Sequence, residues 1–194
     1  MHIPKYFEIT DKEEILSFVQ ANAFGQLISH VSGRIFSTHM PFLLSNDNTK
    51  MLGHLAGNNP QCNELDGQEV MITLEGPHDY ISPSWYKSPG VPTWNYQAVH
   101  IYGRARIFTD LDRLQYVVDK LTEKYESLLT PPWQPEYNNA MLKAIVGVEI
   151  SIDDIQCQYK LSQNRSAEDR EQVIDRLCDL GSIKLAEAMK RVSE

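Results

Sequence analysis

The sequence predicts a mainly β fold of the α+β class, an antiparallel sheet or barrel with helices placed between and after its strands. Three observations predict it. Runs rich in β-branched and aromatic residues are separated by two-residue turn signals, Ser32-Gly33 and Asp66-Gly67. Helical patterns do not follow each strand in turn, which disfavours a doubly wound parallel sheet. At 194 residues, with 42% hydrophobic and 23% charged, the chain can fill the core of one ordinary domain.

Thr10-Asp11-Lys12-Glu13 has the capping-box form ahead of the apolar stripe Ile15, Leu16, Phe18 and Val19, predicting a short first helix. Residues 24–31 and 34–44 are β-rich runs forming a hairpin across Ser32-Gly33. Residues 45–48 read as a polar loop, 51–55 as a third strand and 56–65 as helical. Residues 69–75 have the composition of a buried strand. Residues 76–96 combine Pro77, Pro83, Pro89 and Pro92 with Trp85, Trp94, Tyr80, Tyr86 and Tyr96, which matches neither a helix nor a disordered linker. So many rings in a loop require something to cover them.

Alternation returns over residues 98–108, a strand with His100, Tyr102, Arg104 and Arg106 on one face. Thr109-Asp110-Leu111-Asp112 then caps a helix carrying Leu111, Leu114, Val118, Leu121, Tyr125 and Leu128 at helical spacing, ended by Thr130-Pro131-Pro132. A short helical piece over 141–145 precedes strands over 146–152 and 156–161. Ser166 and Asp169 open one more helix, and Gly181-Ser182 separates it from the last. The strands number about six. The expected division is a domain over 1–165 and a helical tail over 166–194 packed on it.

Charge and cysteine usage narrow the function. The formal net charge of -8 argues against a surface built throughout to meet phosphate backbones. The acidity belongs to residues 1–159, with 11 basic and 19 acidic, whereas 160–194 hold seven of each. The two tail helices therefore lack the basic face of a DNA-reading helix-turn-helix. Cys62, Cys157 and Cys178 are odd in number and widely spaced, so no disulfide framework or Cys-x-x-Cys motif is available. With no signal-peptide pattern at the start and no apolar run of membrane-spanning length, the expectation is a cytoplasmic protein with no membrane partner.

No standard catalytic spacing appears, and the six histidines form no metal-binding pair on a helix. Ser37-Thr38-His39 and His54 with Asn58, Asn59, Pro60 and Gln61 cluster hydroxyls, imidazoles and amides. At a helix N-terminus such a cluster is either an anion seat or simple capping by Asn58 or Asn59, and on spacing capping is favoured. Trp85, Trp94, Asn95 and Tyr96 offer flat rings beside polar groups, as a planar heterocycle or a dimer interface would use. Lys160-Leu161-Ser162-Gln163-Asn164-Arg165 carries two cations, for phosphate contact or as a solvated linker.

These blocks carry a resemblance. Ser37-Thr38-His39-Met40-Pro41, Gly53-His54-Leu55-Ala56 with Asn59-Pro60-Gln61, Ser82-Pro83-Ser84-Trp85-Tyr86, Pro92-Thr93-Trp94-Asn95-Tyr96 and Lys160-Leu161-Ser162-Gln163-Asn164-Arg165 resemble, in order over almost the whole chain, the PaiB family of FMN-binding negative transcriptional regulators. The resemblance implies a flavin-reductase-like split β-barrel, a homodimer holding FMN between subunits, and control of degradative-enzyme and sporulation genes, with DNA met directly or through another protein. It implies Ser37, Thr38 and His39 on one wall of the site, and His54, Asn58, Asn59 and Gln61 near the phosphate. Trp85, Trp94, Asn95 and Tyr96 would line the ring side or the partner subunit, and Lys160, Gln163 and Arg165 would make a closing contact. Lys87-Ser88-Pro89-Gly90 is a short connection, where the resemblance implies more residues. A flavin-dependent oxidase or reductase of a small molecule is the alternative.

Overall fold

The computed structural model describes residues 1–192; Ser193 and Glu194, the end of the tail expected over 166–194, lie outside the described residues. Eight strands are ordered β3-β2-β6-β7-β8-β5-β4, with β1 on β8, and every pair with a described register is antiparallel. They are β1 (Glu8–Ile9), β2 (Phe24–Val31), β3 (Arg34–Pro41), β4 (Leu43–Leu44), β5 (Lys50–Ala56), β6 (Glu69–Ile81), β7 (Thr93–Phe108) and β8 (Ile145–Lys160). The order does not return on itself, so the sheet is not closed. Among the described residues five helices accompany it: α1 (Lys12–Ala21), α2 (Leu111–Glu126), α3 (Asn139–Leu142), α4 (Ala167–Asp179) and α5 (Ile183–Arg191). None is long and apolar enough to cross a membrane.

The expected α+β class holds, and several element boundaries are corrected. The runs expected over 146–152 and 156–161 are one strand, β8, which continues through the exposed Asp153 and Asp154. The irregular stretch expected over 76–96 shrinks to 82–92, because β6 runs on to Ile81 and β7 starts at Thr93. The run expected over 34–44 breaks at Phe42, which is buried and donates its N–H to the Ala23 carbonyl instead of to a ladder. No α-helix forms over 56–65; only Pro60–Asn63 makes a 3-10 turn. The first cap is Asp11, whose carboxylate accepts from the Glu14 N–H at 2.8 Å.

The chain divides into two compact units. One, the hairpin unit, comprises residues 16–74 and 100–155. Its β2–β3 hairpin turns at Ser32 (φ 51°) and Gly33 (φ 74°), both left-handed, as a two-residue primed turn requires. Its core packs the buried face of α2, through Leu114, Val117 and Leu121, against Leu52, Phe108 and Leu142. Gly147 lets the Phe108 ring close on β8, since a Cβ there would come within 2.3 Å of it. Asp110 caps α2 by accepting from the Arg113 N–H at 2.9 Å.

The other, the tail unit, comprises residues 1–15, 75–99 and 156–192 of those described. Here α4 and α5 pack on each other through Val173, Leu177, Leu185 and Met189, all buried. Ser166 caps α4 by accepting from the Asp169 N–H at 3.1 Å. The Asp169 carboxylate is buried and accepts from the Lys87 and Ser88 amides and the Ser88 hydroxyl; that hydroxyl above all holds it below the ordinary carboxylate range. The short 87–90 connection is thereby pinned to α4. Cys157 is buried beside Tyr159, and burial pushes its thiol up to about 12, an inert core sulfur.

Candidate functional site

The predicted site residues fall into two groups, one within each unit. In the hairpin unit, β3 and the turn after β5 bring Thr38, Asn59 and Gln61 into one network. The Thr38 hydroxyl donates to Gln61 Oε1 at 2.5 Å and accepts from Asn59 Nδ2 at 2.9 Å. Asn59 Oδ1 accepts from the Gln61 N–H at 3.0 Å, which is the cap of the Pro60–Asn63 turn. Gln61 is fully buried and donates to Ser29 Oγ at 2.8 Å and the Leu27 carbonyl at 3.3 Å. Capping, the bland alternative at this junction, is therefore what the local geometry supplies. The network spends most of its donors on itself, leaving Asn59 Nδ2 one further N–H.

Ser37 stands outside this network, donating to Gln26 at 2.8 Å. His39 is exposed with its ring stacked 6.4 Å from Phe24, and Asn58 is exposed. His54 points from β5 into a half-buried position where its Nδ1 has no hydrogen-bond partner. Burial holds its imidazole below the ordinary value of 6.5, so the ring is neutral at pH 7 and can accept or donate one bond. A buried ring nitrogen without a partner is a place for a ligand atom.

In the tail unit the aromatic block splits by burial. Trp94 is 54% exposed on β7, with His78 at 6.5 Å and Tyr80 at 6.2 Å between ring centroids. His78, Trp94, Tyr96 and Glu75 border an open space of about 330 Å³. Trp85 is half-buried on a 3-10 turn (Pro83–Trp85) that packs against α4. Asn95 points inward, is 1% exposed, and its amide donates to Ser162 Oγ at 2.9 Å.

The polar-cationic block is ordered by side chain as well as backbone. Lys160 Nζ donates to Thr93 Oγ1 and to the Trp94 carbonyl, and burial lowers its ammonium below the ordinary lysine value. Gln163 closes the bend after β8, accepting from the Leu161 N–H at 2.7 Å and donating to the Tyr159 carbonyl at 2.5 Å. Arg165 donates to the Pro89 carbonyl at 3.1 Å and stacks 4.3 Å over the Tyr86 ring. Lys160 and Arg165 line a cavity of about 150 Å³ together with Thr93, Asn95, Ser162 and Asn164. Ser29, Thr93, Ser162 and Tyr86 are not among the predicted site residues; Thr93, Ser162 and Tyr86 lie inside the quoted blocks, whereas Ser29 has no signal beyond alternation on β2.

Within the tail unit, exposed rings and spare N–H donors on two cations fit a planar, phosphate-bearing group in donor chemistry. Among the described residues no cluster of His, Cys, Asp or Glu could hold a metal ion.

The fold is that of the flavin-binding split-barrel proteins. Solved structures with this fold include the flavocytochrome Anf3 of Azotobacter vinelandii, with a TM-score of 0.68 at 16% identity over 88% of this chain and 78% of that one. The FAD and heme binding protein of Mycobacterium smegmatis superposes with a TM-score of 0.67 at 12% identity over 84% and 78%. Residues 1–154 match the family described as "Putative FMN-binding domain", and the chain belongs to that family. Within it the chain is a PaiB homologue, 43% identical over 185 residues, 91% of this chain and 89% of the relative, to "Protease synthase and sporulation protein PAI 2" of Bacillus subtilis. An uncharacterized protein of Emericella nidulans is 29% identical over 84% of this chain and 85% of its own length.

Proposed function

We propose that the protein is an FMN-binding, homodimeric regulatory protein of the PaiB type, acting on degradative-enzyme and sporulation genes. The observation that carries this reading is the 43% identity, spread over 91% of the chain, to a protein named for protease synthesis and sporulation. The match of residues 1–154 to an FMN-binding family supports the cofactor. A bound flavin supplies reversible two-electron redox chemistry, and the protein supplies binding, orientation and electrostatics. In this reading Ser37, Thr38, His39, His54, Asn58, Asn59 and Gln61 serve the polar side of the flavin. Trp85, Trp94, Asn95 and Tyr96 serve its ring or the partner subunit, and Lys160, Gln163 and Arg165 close on it. In the same reading residues 1–165 are the flavin domain and the helical tail that begins at 166 is an appendage to it.

The absorbance spectrum of the protein as isolated tests this first. A flavin band that FMN addition saturates, with a rise in Tm, is expected, because a ligand that binds only the native state stabilises it. A colourless protein whose Tm ignores FMN overturns the reading.

A flavin-dependent oxidoreductase is the second reading, favoured by the space of about 330 Å³ beside Trp94 and Tyr96, which has room for a second small molecule. Reduction of the bound flavin by NADH or NADPH, with turnover, distinguishes it from the first.

A further inference from the structure

We propose that the cavity lined by Lys160, Arg165, Asn95 and Ser162 is a seat for a small oxyanion of the phosphate or sulfate kind. Two cations line it and no carboxylate does. Among the described residues neither Lys160 nor Arg165 forms an ion pair, although the chain as a whole carries a net charge of -8. Both cations are held in place by neutral groups, Lys160 by Thr93 and the Trp94 carbonyl, Arg165 by the Pro89 carbonyl and the Tyr86 ring. Those contacts use two of the three ammonium protons and one of the five guanidinium N–H groups, so donors remain for a ligand. Burial disfavours the lone Lys160 charge, and an anion in the cavity relieves that.

The floor is preformed. Ser162 takes the left-handed conformation at φ 65°, and its carbonyl accepts from the Arg165 N–H at 2.9 Å, folding the chain so that both cations face one space. Asn95, 1% exposed, and Ser162, 4% exposed, are hydrogen-bonded to each other in that wall and fix its shape. A volume of about 150 Å³ falls below the roughly 300 Å³ at which pockets for larger ligands begin. It has room for a small oxyanion. The occupant is either free or the phosphate end of a larger molecule, and the seat does not depend on the flavin reading.

The test is a titration of the full chain with inorganic phosphate against sodium chloride of equal ionic strength, read by Tm and by calorimetry at a temperature where circular dichroism shows every variant folded. A phosphate-specific rise in Tm is expected, with Lys160→Gln and Arg165→Gln each weakening phosphate at least about tenfold, and Lys160→Arg keeping most of the affinity. Wild-type protein that responds equally to phosphate and chloride overturns the proposal, as do Gln variants that bind phosphate like wild type. Displacement of phosphate by FMN but not riboflavin identifies the flavin's own phosphate as occupant; independent binding of FMN and phosphate identifies a free anion. Failure of FMN to bind at all removes the flavin reading and leaves the phosphate result standing.

Discussion

Arg165 stacks 4.3 Å over the ring of Tyr86, and the space between this pair and the short 87–90 connection is filled. A Cβ at Gly90 would lie 2.4 Å from Tyr86 Cδ2 and 3.3 Å from Arg165 Nη2. Gly90→Ala is therefore expected to destabilise the protein by about 1 kcal/mol through overpacking. Urea unfolding measures this, and an unchanged midpoint would show that the exposed loop yields instead.

Trp94 is 54% exposed, so its removal leaves little cavity. Trp94→Ala should change unfolding free energy by no more than about 0.5 kcal/mol, while weakening FMN about tenfold or more through loss of a ring contact. Fluorescence titration of FMN beside thermal unfolding checks both, and parallel loss of affinity and stability would assign Trp94 a packing role only.

His54 gives the stability a dependence on mildly acid pH. Its imidazole is depressed below 6.5 by burial, so the unfolded chain binds the proton more readily than the folded one. Stability should rise with pH up to about that value and fall as pH drops below it. His54→Gln removes this step. Chemical denaturation at a series of pH values measures it, and a step of the same size in the variant would place its origin elsewhere.

Asp169 acts at lower pH. Its carboxyl is held below the ordinary 3.8, first by the Ser88 hydroxyl, so its contribution is full above that value and disappears as pH falls through the depressed one. Ser88→Ala should lower Tm at neutral pH, with the gap to wild type narrowing in strong acid. A gap independent of pH would mean that the hydroxyl acts by packing alone.

Local turn chemistry and caps were legible because each is decided within a few residues. Ser32-Gly33 closes the hairpin, and Asp110 and Ser166 start α2 and α4, where the sequence places them. What was hidden depends on partners distant in sequence. Pro77 and Gly76 read as breakers, yet β6 runs through both to Ile81. Asp153 and Asp154 read as a gap because they interrupt an apolar pattern, although β8 continues beneath them. Residues 56–65 read as helical, but Gly57 and Pro60 leave room for only a four-residue 3-10 turn. Among the two groups of candidate residues, residue type marked Thr38 and Asn59 in one and Lys160 and Arg165 in the other. The role of Ser29 as the hydroxyl that completes Gln61 follows only from the fold.

The hairpin closed at Ser32 and Gly33 also sets an order of events in time. Its partners, from Phe24 with Pro41 inward to Val31 with Arg34, are close along the chain, so the pair can form within about 1–10 μs once its residues exist. The β5 ladder pairs Lys50 with Ser151 and Ala56 with Ile145, contacts that must first meet the entropy of closing a long loop. On a ribosome, which adds roughly 5–20 residues each second, that difference becomes one of seconds. The hairpin's residues are therefore all present well before its neighbours on the sheet, and its outer strand, with Ile35 76% exposed, stays at the sheet edge in the finished fold.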